Sequence, residues 1–162
     1  MSKGAARDAG HGARLMTAWR RLSAKPGGRW LFSRLIARMV PYTGTMGALV
    51  TEFEPGRTIV LLRDRRRVRN HLRSIHAIAL ANLGELASGL AMTAALPAGV
   101  RGIPVHIAID YRRKARGLMT ATGTAAPPAV NGEASADAIA EIRDEAGETV
   151  AVVTVRWQLQ RT

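Results

Sequence analysis

Cysteine is absent from this chain of 162 residues, which excludes disulfides, thiolate metal sites and a cysteine nucleophile. Aromatic residues make up only 4%, so a core must be built mainly from Ala, Val, Leu and Ile. Hydrophobic residues nevertheless account for 47%, which excludes disorder over the whole chain. The length is typical of a single domain.

Acidic residues are also scarce, since 12 Asp and Glu face 24 Lys and Arg, for a net charge of +12. The excess is concentrated in residues 1–40, 57–73 and 101–116, whereas residues 133–148 are acidic. Such a charge favours anionic partners: nucleic acid, a membrane surface or a phosphorylated small molecule. Because the aromatic residues are scattered and not interleaved with the arginines, we do not expect nucleic-acid binding.

The sequence lacks an apolar run long enough to span a bilayer, and its start, MSKGAARDAGHGAR, has no apolar core typical of a secretory signal. We therefore expect a cytoplasmic protein. We expect residues 1–28 to form a basic, partly disordered segment, with the disorder in residues 1–12, and residues 29–162 to form one domain with a leading helix.

Two regions have helical periodicity. The first runs from Ala13 to Val40, is interrupted at residues 25–28 and stops at Pro41. Its second half has a short apolar stripe, which favours packing on its own domain over a membrane. The second region, Ile75 to Ala95, is apolar nearly all round and rich in Ala, Gly and Ser. It predicts a buried helix, capped by Ser74, that a sheet or a second subunit approaches closely.

The remaining segments have the composition of strands. Met46–Glu54 and Arg57–Val68 predict a hairpin about Pro55-Gly56, with the second strand buried on both faces. Four more strands are predicted, of which the first alternates in polarity and the last two form a hairpin: Ile103–Arg112, Leu118–Ala125, Ala138–Asp144 and Thr149–Gln158. The predicted order after the leading helix is β-β-α-β-β-β-β, an α+β fold in which a long helix packs on an antiparallel sheet.

The segment from Asn70 through His76 and Ala77 to Glu85 resembles the signature of hotdog-fold acyl-CoA thioesterases. That pattern has an Asn, a His six residues later, two small residues and an acid nine residues after the His. The leading helix, the sequence PYTG at 41–44 and the hairpin resemble an uncharacterised branch of this superfamily with an extra N-terminal helix. Ala77-Ile78 stands where the family usually has two glycines. The resemblance covers about residues 30 to 160.

The resemblance implies a catalytic role for four residues: Glu85, Asn70, Ala77 and His76. A helix N-terminus offers free N–H groups to a developing oxyanion, and the family places its donor at the position of Ala77. Burial in an apolar helix would raise the pKa of Glu85 and suit it to act as a base, although direct attack as a nucleophile stays open. In related enzymes the acid and the oxyanion donor face each other across a subunit interface, which implies a homodimer or a homotetramer.

Each of these residues also has a structural interpretation. Glu85 could pair with Arg73 or Arg112, Asn70 could shape a turn, and His76 could orient the loop, a role that we favour over proton transfer. His71 and His106 lie outside any cluster of metal ligands, so neither a metal nor another cofactor is expected.

Coenzyme A carries phosphate groups that arginine binds well. Six cations are candidates for this contact: Arg65, Arg66, Arg67, Arg112, Arg113 and Lys114.

Two other functions compete with hydrolysis. One is dehydration of a hydroxyacyl thioester, because His71 precedes Glu85 by fourteen residues, a spacing that weakly resembles hotdog-fold dehydratases. The other is binding of acyl-CoA or lipid without catalysis.

Overall fold

The computed structural model describes residues 10–162, and its elements alternate much as the sequence predicts. The helices are α1 His11–Ser23, α2 Gly28–Met39, α3 Pro41–Gly44 and α4 Ala77–Ala95, with a 3₁₀ turn at Arg66–Val68. The strands are β1 Leu49–Glu54, β2 Arg57–Leu62, β3 Val100–Tyr111, β4 Met119–Ala125, β5 Glu133–Arg143 and β6 Thr149–Arg161. The predicted order of elements is therefore confirmed.

The six strands form one antiparallel sheet in the order β1-β2-β4-β5-β6-β3. Helix α4 lies across one face and contacts β2, β4, β5 and β6. The core between them is aliphatic, as the composition requires, with Leu83, Met119, Ile142 and Leu159 fully buried. By length and composition α4 could cross a bilayer, but it is the central helix of this fold, and 56% of its apolar window is buried.

Small residues allow the sheet to approach the backbone of α4, which explains the unusual composition of this helix. A Cβ on Gly123 of β4 would lie 2.3 Å from the carbonyl carbon of Ala87. The hydroxyl of Thr58 on β2 donates to the same Ala87 carbonyl at 2.6 Å, and the N–H of Gly56 in the predicted turn donates to the Ala91 carbonyl at 3.2 Å. The small residues predicted that either a sheet or a second subunit approaches α4 closely, and in the structure it is the sheet that does so.

Helices α1 and α2 form a second layer beside α4. The two are joined at an edge-on contact of Trp19 with Phe32, whose ring centroids lie 5.0 Å apart, and Phe32 also packs on Phe53 of β1 at 5.4 Å. The hydroxyl of Ser33 accepts a hydrogen bond from the N–H of Val50 at 2.9 Å, which ties α2 to β1. Residues 11–23 of the predicted N-terminal segment are thus helical and packed, including His11 within the stretch expected to be disordered. Residues 1–9 of that stretch lie outside the described residues.

Several boundaries differ from the prediction. Strand β1 starts at Leu49, β2 ends at Leu62, and β2 is fully buried on one face only, because Ile59 and Leu61 are half-buried. Helix α4 starts at Ala77, and its N-cap is His76, not Ser74. The alternation expected along β3 is broken by a register shift between Pro104 and His106, and most of this edge strand is exposed.

Candidate active site at the start of α4

Asn70 organises the loop that leads into α4. Its Oδ1 accepts hydrogen bonds from the Leu72 N–H at 2.9 Å and from the N–H and hydroxyl of Ser74, both at 3.2 Å. Arg73, inside this loop, has a left-handed φ of 56°, a conformation that costs energy for a residue with a side chain. The Asn70 carbonyl oxygen is therefore committed to the turn, and its amide NH₂ makes no hydrogen bond within residues 10–162.

His76 forms the N-cap of α4. The ring Nδ1 of His76 accepts a hydrogen bond from the Ile78 N–H at 3.1 Å. The backbone N–H of His76 donates to the Val68 carbonyl at 2.7 Å. The imidazole therefore fixes the helix start, which is the positional role favoured by the sequence. Ala77, the first residue of α4, is exposed. Its backbone N–H has no partner among the described residues, so it is free to donate to a ligand.

Tyr111, at the end of β3, adds a contact that the sequence did not indicate. Its hydroxyl donates to the Ala77 carbonyl at 3.0 Å, thirty-four residues away along the chain. Burial raises the pKa of this phenol, so the hydroxyl stays protonated to a higher pH than that of a free tyrosine. The contact holds the first turn of α4 against the end of an edge strand.

Glu85 lies a little over two turns along α4, at a pocket of about 180 Å³ between α4 and the helical layer. Its neighbours there include Leu15 of α1, Met39 of α2 and Trp157 of β6. Burial raises the pKa of the Glu85 carboxyl. Within residues 10–162 Glu85 makes no ion pair, so neither of the arginines considered from the sequence neutralises it. A half-buried carboxylate without a cation is costly to maintain and chemically reactive.

Two further polar groups, the Thr43 hydroxyl and the Trp157 indole N–H, belong to residues that line this pocket. The hydroxyl of Thr43 on α3 donates to Oδ1 of Asn82 on α4 at 2.9 Å, which joins the short helix to the helix that carries the acid. The indole N–H of Trp157 is buried and is the single buried side-chain polar atom that lacks a partner within the described part of the chain. Such a group in a pocket wall is a candidate hydrogen-bond donor to a ligand.

Two basic segments converge beside the start of α4. The N–H of Ile75 donates to the Ala115 carbonyl at 2.8 Å, and Asp64 accepts from the Gly117 N–H at 3.2 Å while pairing with Arg69 at 2.6 Å. The Arg69 contact lowers the pKa of Asp64. These contacts join the segment after β2 and the segment after β3, which carry the predicted CoA-binding cations, next to the start of α4.

The six cations are not equally free. Arg67 donates to the Met46 carbonyl at 3.2 Å, and Arg113 pairs with Glu148 at 3.1 Å. The side chains of four are exposed and make no hydrogen bond or ion pair within residues 10–162: Arg65, Arg66, Arg112 and Lys114. The two segments therefore offer four uncommitted cations to an anionic ligand.

The helix itself separates the acid from the free N–H group. Glu85 lies eight positions after Ala77 in α4, which corresponds to about 12 Å along the axis. A reacting carbonyl group needs both partners within about 3 Å. One chain therefore does not bring both groups within this distance of one thioester carbonyl. His71 is exposed in the loop before α4, and no group of three potential metal ligands occurs within residues 10–162.

Sequence reasoning missed Tyr111, Trp157 and the Thr43–Asn82 contact. The one available signal was an aromatic residue near the end of each of the strands β3 and β6 in a chain with few aromatics. Which of these residues reaches α4 depends on strand pairing across the sheet.

Comparison with known proteins places this geometry in a family. Residues 28–159 match the family described as "Domain of unknown function (DUF4442)". No relative was found among the curated proteins. A structural genomics protein of 27% identity matches with a TM-score of 0.79, over 93% of this chain and 99% of its own.

Two other solved structures carry a named activity. A probable thioesterase from Pseudomonas aeruginosa is 22% identical with a TM-score of 0.72, over 80% of this chain and 93% of its own. A thioesterase from Haemophilus influenzae is 17% identical with a TM-score of 0.66, over 74% and 82%. The α+β architecture with a long helix on an antiparallel sheet is the hotdog fold of these proteins. This chain belongs to the DUF4442 family, a family of the hotdog type.

Proposed function

We propose that this protein hydrolyses an acyl-CoA thioester, with Glu85 as the acid-base or nucleophilic group. The observation that carries the proposal is the half-buried Glu85 carboxylate, which lies at a largely apolar pocket and makes no ion pair within residues 10–162. A raised pKa increases the basicity of a carboxylate toward water at neutral pH. The thioesterase names of the structural neighbours agree with this chemistry.

The proposed site forms between two subunits. Glu85 of one subunit faces the Ala77 N–H of the other, because about 12 Å of helix separates the two groups within one chain. The exposed edge strand β3 offers a surface for this pairing, since Ile103, Val105 and Ile107 are 64%, 55% and 47% exposed. Unpaired strand edges with apolar side chains readily join a second copy in a two-fold dimer. A dimer of such dimers is the larger assembly that the family resemblance allows.

In the proposed reaction Glu85 removes a proton from water, and the resulting hydroxide adds to the thioester carbonyl carbon. The Ala77 N–H stabilises the negative charge that develops on the carbonyl oxygen. Collapse of the tetrahedral intermediate breaks the C–S bond, and the thiolate of CoA takes the proton from Glu85. In the alternative route Glu85 attacks the carbonyl carbon itself, CoA leaves as the thiol after protonation by solvent, and water hydrolyses the mixed anhydride.

The four uncommitted cations beside the start of α4 would hold the phosphates of CoA. The acyl chain would extend toward the pocket formed by α4 and the helical layer. Arginine is suited to the 3′-phosphate and the pyrophosphate because its guanidinium donates two hydrogen bonds to one phosphate group.

The test is release of free thiol from a panel of short, long and aromatic acyl-CoAs. The parent protein should hydrolyse at least one of them, and Glu85→Gln should lower kcat/KM by about 10²- to 10⁴-fold, because the amide cannot accept the proton. Glu54→Gln is the matched control, since Glu54 is exposed on β1 and away from the pocket, and it should leave the rate unchanged.

Three results would contradict the proposal. Absence of thiol release in the parent, with acyl-CoA still bound, would identify a binding protein. Unchanged hydrolysis in Glu85→Gln would exclude the mechanism. Loss of water from a 3-hydroxyacyl thioester without thiol release would identify a dehydratase.

A further inference from the structure

Helix α2 has two apolar faces, and only one of them is used by the fold. The inner face buries Phe32 and Ile36, which are 0% and 5% exposed. The outer face carries Trp30, Leu31 and Leu35, which are 62%, 49% and 37% exposed, so the expectation that the apolar stripe of this helix packs on its own domain is wrong for the two leucines. Successive residues of a helix are 100° apart, so these three and Met39 share one half of the helix surface with Arg34 and Arg38. Exposed apolar side chains in such a group indicate an interaction surface.

The outer face also forms the wall of a groove. A depression of about 480 Å³ runs between the end of α1, α2 and the end of α3, with Leu22, Leu31 and Leu35 on its apolar sides and Arg34 and Arg38 beside them. Arg34 lies over the Trp30 ring at 5.9 Å. We call the set Trp30, Leu31, Arg34, Leu35 and Arg38 the outer face of α2.

The charged side chains of α1, α2 and the turn between them have one sign. From residue 10 to residue 51 the sequence contains no Asp or Glu, and its cations are Arg14, Arg20, Arg21, Lys25, Arg29, Arg34 and Arg38. All seven are exposed on the layer formed by α1 and α2. A partner for this layer must therefore be negatively charged and must also accept aliphatic side chains.

We propose that the outer face of α2 docks the protein on the surface of an anionic phospholipid bilayer. Leucine and tryptophan side chains would enter the boundary between headgroups and acyl chains, where tryptophan is favoured. The arginines would extend to the lipid phosphates while their methylene groups stay in the apolar layer. A second copy of this chain fits less well, because pairing two such faces would bring like charges together. Nucleic acid fits less well because it offers no apolar phase to Leu31 and Leu35.

The docking face is a rigid platform that does not depend on its own outer side chains. Helix α2 is held from its inner side by the Ser33 hydroxyl on Val50, by the ring contacts of Phe32, and by the close turn at Gly28, where a Cβ would lie 1.7 Å from the Leu22 carbonyl oxygen. Outer-face variants should therefore fold. Met39, next to this face and 43% exposed, also lines the pocket of Glu85, so the docked face would lie beside that pocket.

The test is flotation of the full chain with vesicles of phosphatidylcholine alone and of phosphatidylcholine with phosphatidylglycerol. The parent should bind only the anionic vesicles, and binding should weaken as salt is raised. Arg34→Gln with Arg38→Gln should lower the partition coefficient by about 30-fold, from about fivefold per cation near an anionic surface. Leu31→Gln with Leu35→Gln should lower it by at least about tenfold.

The control removes the same charge elsewhere. Arg65→Gln with Arg112→Gln lies on the surface beside the start of α4 and should retain vesicle binding to within about threefold. Binding should also shift the fluorescence of the exposed Trp30 to shorter wavelength, and Trp30→Phe should remove that shift, because Trp19 and Trp157 are already partly or fully buried.

Four outcomes would overturn the proposal. The first is no binding to anionic vesicles, and the second is equal loss in the two arginine pairs. The third is concentration-dependent self-association that Leu31→Gln with Leu35→Gln abolishes, which would assign the face to a second copy. The fourth is tight binding of RNA or DNA through Arg34 and Arg38 without vesicle binding.

Discussion

Replacing Ala77 by proline removes the N–H of the proposed oxyanion site and puts the ring Cδ in the place of that hydrogen, at a position where helix α4 tolerates proline. Ala77 is the first residue of α4, its N–H has no partner within residues 10–162, and proline is well tolerated at this helix position. The preceding residue, His76, has φ −64° and ψ 141°, which is the extended conformation that a following proline requires. Ala77→Pro should therefore fold with a thermal midpoint close to that of the parent.

The expected kinetic effect is large by comparison. Removal of one oxyanion donor costs about 10²- to 10³-fold in kcat, or about 2.7–4 kcal/mol of transition-state stabilisation. The assay is thiol release from the best acyl-CoA, with KM and kcat measured separately. The loss should fall mainly on kcat, because the interaction strengthens as the oxyanion forms. Ala77→Gly is the matched control, since it keeps the N–H. A kcat for Ala77→Pro within threefold of the parent would refute the assignment of this N–H.

Two further predictions concern stability. Because burial raises the pKa of Glu85 in the folded state, its favourable contribution is present below the unfolded pKa of about 4.3 and is lost as the pH rises through the folded pKa. In urea unfolding, Glu85→Gln should therefore gain stability over the parent as the pH rises from 4 to 8, and a constant difference would contradict this. In α4 a Cβ on Gly84 would lie 2.3 Å from the Val153 side chain, whereas a Cβ on Gly89 would have no neighbour closer than 3.5 Å. Gly84→Ala should destabilise by about 1–3 kcal/mol and Gly89→Ala should stabilise by up to about 1 kcal/mol, and equal shifts would show that helix propensity alone decides.

Local sequence signals placed most of the architecture. The dipeptide at Pro55-Gly56 marks the first hairpin, and Pro41 and Pro97 follow the ends of two helices. The small residues of α4 indicated close approach of another element, which is the sheet at Gly123 and Thr58. These features depend on residues that are adjacent in the chain or on one helix face, so a single sequence is enough to read them.

The details that the sequence did not place depend on contacts between distant segments. Ser74 is a good N-cap residue by type, but its hydroxyl bonds to Asn70, and the Ala115 carbonyl holds Ile75 outside the helix. The chain after Leu62 leaves the sheet because Asp64 bonds to the backbone of Gly117 on another loop. Local propensity favours a longer strand and an earlier cap, and these tertiary contacts outweigh it.

The candidate site was predictable in its residue types but not in its geometry. The spacing of His76 and Glu85 predicted that both lie near one helix, and the raised pKa of Glu85 follows from the apolar residues around it. The buried N–H of Trp157 and the contact of Tyr111 with Ala77 depend on which strands lie next to α4. The pairing order of the sheet, and not the local sequence, brings them there.

The central claim is that Glu85 of one subunit and Ala77 of another hydrolyse the same thioester. Its most direct test is thiol release by a mixture of Glu85→Gln and Ala77→Pro chains, co-expressed with different tags so that mixed dimers can be isolated. Each mixed dimer contains one intact site of two, so isolated mixed dimers should have about half of the parent activity and the unseparated random mixture about a quarter, although each variant alone is nearly inactive. Mixed dimers no more active than the separate variants would contradict a site shared between subunits.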